Sequence, residues 1–229
     1  QVTASLARSA GHLGEAQQLL DELAEMDLLA ARGVCAFPWL PLPSLDLSAV
    51  TALSDARQRN LLRHWLAPLS RMPDSDHWVG WCDLRDAATD AAPIWKLTDG
   101  ELHRADGRLW WLNGEWLRPL DPLDLACDSF SESVELPGNG HVHLQGELPL
   151  GRWYLRYRQG GESLQLPGRG RRDLKRLLNE LRVPGFVRPR LPLLFDGDEL
   201  MAIANLTQAP GIETCRVHLH WSPPIGAQG

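Results

Sequence analysis

The sequence predicts an α+β protein, with a mainly helical first domain that includes a small β meander and a C-terminal domain that mixes strands with one helix. Apolar residues recur at helical spacing between Leu6 and Leu29 and again after Ser54. From Ile94 to Trp116 the period changes to that of strands, and the Asp-Gly pairs in TDGE and ADGR are turn signals. Beyond these, several short strand patterns surround a single helical one, which is typical of the α+β class.

Composition indicates a folded protein without a membrane segment. The chain has 229 residues, of which 44% are apolar and ten are tryptophan, and this suffices for a packed core. No run approaches the roughly 20 apolar residues that a membrane helix requires. The N-terminus opens directly into a helical pattern without an initiator methionine or signal peptide, so we expect a fragment of a longer protein. Four scattered cysteines fit reduced thiols and a cytoplasmic location better than a zinc site.

The first half contains three predicted helices. The first ends at FPWLPLPSLDL, because proline lacks the N–H group that a helix needs. Ser54 is a suitable N-cap for the second, in which leucines and Trp65 form the inner stripe. A third, short helix is expected over residues 75–88, with both of its tryptophans and Cys82 on one side.

Changes in composition along the chain predict four segments. A connecting helix is expected at residues 1–31, and a middle domain with helices and the meander at 32–119. A linker rich in turn residues and acids follows at 120–135, and the C-terminal α+β domain occupies 136–229. In that last domain we expect strands at HVHLQG, RWYLRYRQ, LPLLFDG, ELMAIANL and CRVHLHW, and a helix from Arg172 to Leu181.

Charge is distributed unevenly along the chain. The formal net charge is −6, yet ten basic and three acidic residues between Arg156 and Arg190 give that stretch +7 and leave −13 for the rest. Such asymmetry predicts a polyanionic partner at the basic end. A solvated surface paired with the chain's own carboxylates fits equally well, and RNA, a nucleotide and an acidic protein surface remain alternatives as partners.

The predicted helix would place its cations on the outer face. Leucines at positions 174, 177, 178 and 181 recur at core-facing spacing, which turns Arg172, Lys175 and Arg176 outward. The preceding LPGRGRR would bring arginines and flexible N–H groups to the helix N-terminus, where the helix dipole favours an anion. Arginine's planar guanidinium group binds phosphate oxygens in pairs.

Other polar clusters have simpler explanations. The histidine pairs of HVH (His141, His143) and HLH (His218, His220) could supply zinc ligands, but surface strand positions explain them better. The tryptophans fit core packing better than base stacking. Asp196 and Asp198 fit a hairpin turn better than a metal site. The sequence therefore predicts no catalytic residue and no metal ligand.

The stretch YRQGGESLQLPGRGRRDLKRLLNELRVPGFVRPRLPLLFDGDELMAIANL closely resembles the C-terminal domain of bacterial tRNA(Ile)-lysidine synthases. The matching positions are Arg156, Arg158, Gly160, Gly161, Gly168, Arg169, Leu174, Lys175, Glu180, Val183, Pro184, Arg188, Pro192, Leu193, Gly197, Leu200 and Ala202. Upstream, SLARSAGHLGEAQQLLDELAEMDL is similar to the family's connecting helix, and LSDARQRNLLRHWLA and GRLWWLNGEWLRPL to its middle domain. Ser163 departs from the pattern where an arginine is expected, and PGF replaces the usual Pro-Pro-Trp.

The resemblance implies a function in tRNA modification. The family uses ATP, with Mg, to attach lysine to C2 of the wobble cytidine of isoleucine tRNA with anticodon CAU, a ligase reaction that forms a C–N bond. Its ATP-binding motif S-G-G-x-D-S is absent here, since the only Gly-Gly pair, Gly160-Gly161, precedes Glu162. The resemblance thus implies an inactive fragment whose missing domain binds lysine and ATP, and which itself needs no cofactor.

Nine basic residues are the predicted tRNA contacts: Arg156, Arg158, Arg169, Arg171, Arg172, Lys175, Arg176, Arg188 and Arg190. The alternative function is a protein-interaction module whose basic face docks an acidic partner. A homodimer is a further partner that the sequence leaves open, whereas a free-standing enzyme lacks any visible nucleotide loop.

Overall fold

The computed structural model describes residues 2–71, 78–88, 91–127, 133–146, 148, 150–166, 170–206 and 217–226. The described chain is α+β, as predicted, and divides into two compact units. The first unit is drawn from residues 1–36 and 42–113, and the second from residues 37–41 and 114–227. The four segment limits expected from composition stay a prediction.

The described part of the first unit contains four α-helices: α1 (Val2–Arg32), α2 (Leu47–Thr51), α3 (Asp55–Leu66) and α4 (Val79–Asp86). The C-terminal part of α1 packs on α3, where the Asp27 carboxylate pairs with the Arg57 guanidinium group. Ala24 and Ala31 are buried there, whereas Leu6 and Leu13 remain 64% and 72% exposed. On α4 the predicted burial of Trp81 is confirmed, but Cys82 is exposed rather than on the same side.

The predicted meander is confirmed as three strands of a four-stranded antiparallel sheet. The strands are β1 (Ser44–Asp46), β2 (Ile94–Lys96), β3 (Glu101–Ala105) and β4 (Arg108–Leu112), in the order β1-β4-β3-β2. Asp106 and Gly107 link β3 to β4 with φ values of 50° and 68°, and a tight hairpin turn requires such positive values at both central residues. Strand β1 was not predicted, because it has three residues and directly follows a run of prolines.

Two arginines of this sheet hold the ends of helices. Arg108 donates to the carbonyl oxygens of Arg32 and Val34, just where α1 ends. Arg104 donates to three carbonyl oxygens at the end of α4, including that of Ala87 at 2.8 Å. The last carbonyls of a helix have no partner within the helix, so these guanidinium groups satisfy them.

Among its described residues, the second unit contains two sheets and one α-helix. The six-stranded sheet has the order β10-β9-β12-β11-β8-β5 and the three-stranded sheet the order β13-β7-β6. Their strands are β5 (Asp124–Cys127), β6 (Val134–Glu135), β7 (His141–Gln145), β8 (Trp153–Arg156), β9 (Ser163–Leu166), β10 (Gly170–Asp173), β11 (Leu193–Asp196), β12 (Glu199–Ile203) and β13 (His218–Ser222). The unit also contains α5 (Leu174–Glu180) and a 3₁₀ helix (Gly114–Leu117).

The five strands predicted in this unit are confirmed, but four further strands and the start of the helix differ from the expectation. Strands β5 and β6 lie inside the expected linker, where β5 pairs with β8 and β6 with β7. Strands β9 and β10 lie where a loop and the start of the helix were expected, because Arg172 pairs with Leu164 of β9. Helix α5 therefore begins at Leu174 instead of Arg172, with the Asp173 carboxylate as its N-cap. Local apolar spacing cannot reveal strand β10, since its residues are all exposed.

Arg190 is a buried side chain that connects separate segments of the second unit through hydrogen bonds. Although it is only 4% exposed, its guanidinium group donates to the carbonyl oxygens of Glu115 and Arg118, both at 2.5 Å. It also lies over the Trp116 ring, 5.4 Å from the centroid. Asn139 continues the network by donating to the carbonyl oxygen of Arg190 at 2.8 Å.

Replacing Arg190 by methionine should destabilise the second unit, because buried carbonyls would lose their donor. We expect a loss of about 3 kcal/mol in the free energy of unfolding, measured by urea denaturation. Arg176→Met, at an exposed helix position, is the matched control and should change it by less than about 0.5 kcal/mol. Equal effects of the two variants would contradict the structural role of Arg190.

The free energy of unfolding of the first unit should depend on the protonation of His103. Burial lowers the pKa of this imidazole, and the opposing effect of Glu101, 2.9 Å away, is smaller. Since the unfolded chain binds the proton at higher pH than the folded one, stability is full above a pH of about 6.5 and falls as the pH drops below it. Urea denaturation at pH 7.5 and 5.5 should show this loss, and His103→Gln should reduce it. An undiminished loss in the variant would assign it to other groups.

Candidate nucleic-acid interface

Four exposed cations lie together at one edge of the second unit. Arg171 and Arg172 are on β10, the outermost strand of the six-stranded sheet, and Lys175 and Arg176 are on α5, which follows it directly. We call these four residues the basic edge. Within the described residues, no carboxylate oxygen lies within 4.0 Å of their charged nitrogens. Their charge is therefore available to an external anion.

The local sequence explains why these side chains face outward. On α5, Leu174, Leu177 and Leu178 are buried, which confirms the predicted inner stripe and leaves Lys175 and Arg176 on the outer face. On β10, an edge strand of the sheet, all four residues are exposed. An edge strand with charged side chains also avoids pairing with other chains.

The N-terminus of α5 was expected to face an anionic ligand, but the chain supplies its own carboxylate there. Asp173 accepts a hydrogen bond from the backbone N–H of Arg176 at 2.9 Å. The cap stabilises the short helix and holds Lys175 and Arg176 next to β10. Cationic side chains, rather than the helix end, are thus the groups of this surface that are available to an anion.

Arg156 is engaged within the fold. Its guanidinium group donates to the Asp124 carboxylate at 2.8 Å and to the carbonyl oxygen of Gly197 at 2.9 Å. It also lies over the rings of Tyr154 and Phe195, at 4.6 and 5.3 Å from their centroids. The Asp124 hydrogen bond raises the pKa of Arg156. It also joins two strands, because Asp124 lies on β5 and Arg156 on β8.

Arg188 and Arg190 are also engaged within the fold. Arg188 donates to the carbonyl oxygen of Val183 and to the Asn179 side chain, and burial lowers its pKa. Arg190 is buried in the network described above. Arg169, another predicted contact, lies outside the described residues. The structure thus brings together four of the nine predicted residues at one exposed edge, and their contact with RNA stays a prediction.

The Gly160-Gly161 turn contains a residue whose importance the sequence did not reveal. Glu162 accepts hydrogen bonds from the N–H groups of Gln159 and Gly160, and its second oxygen lies 3.5 Å from Nε of Arg158. Within the sequence it counted only as one of three acids in a basic stretch. The two glycines before it are a turn signal, but no local pattern predicts that the glutamate carboxylate reaches back to the preceding N–H groups.

The remaining polar clusters form no further site among the described residues. His143 and His220 are paired across β7 and β13, and these strands also carry His141 and His218. In the part of the chain that the structure describes, no group of three or more histidine, cysteine, aspartate or glutamate side chains can hold a metal ion. None of the described helices combines the length and apolar character needed to cross a membrane.

Comparisons with known proteins match a different family model to a segment of each compact unit. Residues 45–110 match the family model of the TilS substrate binding domain, and residues 154–221 that of the TilS substrate C-terminal domain. The tRNA(Ile)-lysidine synthase of Pseudomonas fluorescens is 58% identical over 100% of this chain and 52% of its own length. That of Pseudomonas syringae pv. tomato is 57% identical over 99% of this chain and 51% of its own.

A more distant relative gives the same result. The tRNA(Ile)-lysidine synthase of Coxiella burnetii is 31% identical over 98% of this chain and 51% of its own length. The chain thus spans about half the length of these relatives. With both domain models matched in order and relatives of one name along its whole length, this chain belongs to the tRNA(Ile)-lysidine synthase family, of which it represents the C-terminal part.

Proposed function

We propose that this chain binds the tRNA substrate of a tRNA(Ile)-lysidine synthase and does not itself catalyse the reaction. The observation that carries the proposal is the basic edge, four exposed cations without a carboxylate partner among the described residues. It lies in the part of the chain that matches the family's C-terminal domain. The relatives' name identifies tRNA(Ile) as the substrate that such a surface would hold.

The chemistry of the basic edge suits an RNA backbone. Three of its four residues are arginines, whose guanidinium groups donate two parallel hydrogen bonds to a phosphate. Contacts with phosphate fix the position of an RNA but do not distinguish its bases. A-form RNA is recognised mainly through its shape, its phosphates and its 2′-hydroxyl groups. The basic edge would therefore hold the tRNA, while recognition of the wobble base takes place elsewhere in the full-length enzyme.

The activity of the full-length enzyme follows from the family. The complete enzyme would use ATP, with Mg, to join lysine to C2 of the wobble cytidine in isoleucine tRNA with anticodon CAU, in the cytoplasm. The chain contains no S-G-G-x-D-S motif, so ATP and lysine would bind to a domain outside this sequence. Binding by this chain would keep the tRNA in place during both the activation and the ligation step, an advantage of linked binding sites.

Removing the charges of the basic edge should weaken tRNA binding. We expect the triple variant Arg172→Gln, Lys175→Gln, Arg176→Gln to bind isoleucine tRNA (anticodon CAU) at least about tenfold more weakly than the unmodified chain. Its slope of log affinity against log salt should be smaller by about 2, because fewer counterions are released from the phosphates. Fluorescence anisotropy with labelled tRNA at two salt concentrations measures both quantities.

Arg8→Gln, at an exposed position of α1 in the first unit, is the control for loss of a surface charge and should leave both quantities nearly unchanged. An unrelated tRNA measured alongside shows whether this chain discriminates between tRNAs. Unchanged affinity and slope in the triple variant would refute the role of the basic edge. They would favour the alternative in which its cations dock an acidic protein.

A further inference from the structure

The Gly160-Gly161 turn already binds an anion, which belongs to the chain itself. One carboxylate oxygen of Glu162 accepts hydrogen bonds from the backbone N–H of Gln159, at 2.5 Å, and of Gly160, at 2.7 Å. Successive N–H groups that converge on one oxygen form a concave anion site, the arrangement that many proteins use to bind phosphate. Glu162 thus occupies a site with the donors that a phosphate requires.

The carboxylate in this site is incompletely satisfied. Its side chain is only 9% exposed, yet the second oxygen, Oε2, has no hydrogen-bond partner among the described residues. Nε of Arg158 lies 3.5 Å from this oxygen and is also buried, with no hydrogen bond to the part of the chain that the structure describes. Buried polar atoms nearly always have a partner, and 3.5 Å exceeds the usual length of an N–H···O bond. The interaction between Arg158 and Glu162 is therefore weak, and little stabilisation is lost when another anion replaces the glutamate carboxylate.

Two cations lie beside the turn. They are Arg158, whose Nε faces the Glu162 carboxylate, and Arg171, which lines the same cavity as the turn. Arg171 of the basic edge uses its Nε to donate to Ser163 and, among the described residues, forms no ion pair. A phosphate, which has more acceptor oxygens than a carboxylate, would satisfy more of these donors.

The turn also borders a cavity large enough for a phosphate. Its volume is about 240 Å³, and its lining includes the turn, the cations Arg156 and Arg171, and the exposed Asp198 carboxylate. The glycines have φ values of +106° and +83°, and the space where each would carry a Cβ atom has no neighbouring atom within 4 Å. A ligand can therefore approach the backbone closely at both residues.

We infer that this cavity is a binding site for one phosphate of the RNA backbone, and that Glu162 occupies it as an internal phosphate mimic until RNA binds. The phosphate would accept the hydrogen bonds of Gln159 and Gly160 and pair with Arg158, while Glu162 turns to solvent. Because the glutamate is tethered, it competes at a high effective concentration. Only a phosphate that is itself held nearby, by RNA on the basic edge, would displace it.

The inference rests on the proposed function and predicts a gain of affinity. Glu162→Gln removes the competing charge but keeps an oxygen that can accept from the turn. It should therefore bind isoleucine tRNA about threefold to tenfold more tightly in the anisotropy assay, since charge-assisted hydrogen bonds are stronger than neutral ones. Glu180→Gln makes the same charge change at an exposed position of α5 and should have a clearly smaller effect.

A second measurement uses the unmodified chain and so does not depend on the folding of a variant. The NMR signals of the Gln159 and Gly160 backbone amides should move when isoleucine tRNA is added, together with those of β10 and α5. Inorganic phosphate alone, at the same phosphate concentration, should move them much less. If inorganic phosphate moves them as strongly, the cavity takes any phosphate, and selection by the tethered glutamate is overturned.

The possible failures are distinguishable. If the unmodified chain binds tRNA and the β10 amides move while those of the turn do not, the phosphate site is overturned and the proposed function stands. The phosphate site is likewise overturned if Glu162→Gln binds tRNA no more tightly than Glu180→Gln. If the unmodified chain binds no tRNA at low salt, both proposals fail together.

Discussion

Guanidinium groups that donate to backbone carbonyls are the interaction on which this fold depends. Arg104 and Arg108 satisfy the carbonyls at the ends of α4 and α1, and Arg190 satisfies those of Glu115 and Arg118 at the 3₁₀ helix of the second unit. Helix ends and loops leave such groups without partners, and a buried carbonyl without a donor destabilises the folded state. A guanidinium group offers five N–H donors in a fixed plane, so one side chain can join several segments. In each unit these arginines hold irregular segments that apolar packing alone would leave unpaired.

The same residue type has a second role on the surface of the second unit. Arginines whose guanidinium groups contact carbonyls, carboxylates or aromatic rings within the fold contribute to stability. Arg156 and Arg190 are examples. Those on β10 and α5 form no ion pair among the described residues and give the basic edge its charge. In a chain with a formal charge of −6, this edge would attract a polyanion locally although the whole chain repels one. At the proposed phosphate site, Glu162 would reduce this attraction, because its carboxylate occupies N–H donors beside the basic edge.

Much of the fold could be predicted from the pattern of residues. Predictions succeeded where an element depends on neighbouring residues and failed where it depends on distant ones. The helix at α3, the meander with its Asp-Gly turn and the leucine stripe of α5 depend on neighbours within a few positions. Strands β1 and β5 pair with partners that are far away in sequence. The β9–β10 hairpin includes a strand, β10, that has no buried face. Their pairing is decided by tertiary contacts, which override the weak local preference of short, proline-adjacent or highly charged segments.

The sequence by itself determined the fold class, the family and the presence of a basic end, because periodicity, motif order and net charge are properties of the chain alone. Only the tertiary structure decided which cations are available to a ligand. Arg172 and Arg190 are indistinguishable by charge, yet one is exposed on an edge strand and the other is buried among carbonyls. Likewise Glu162 is simply an acid in the sequence, and only the positive φ angles of the two glycines place its carboxylate against the N–H groups of the turn. Burial and hydrogen-bond partners are properties of the folded chain, and they decide which of these charges can bind a ligand.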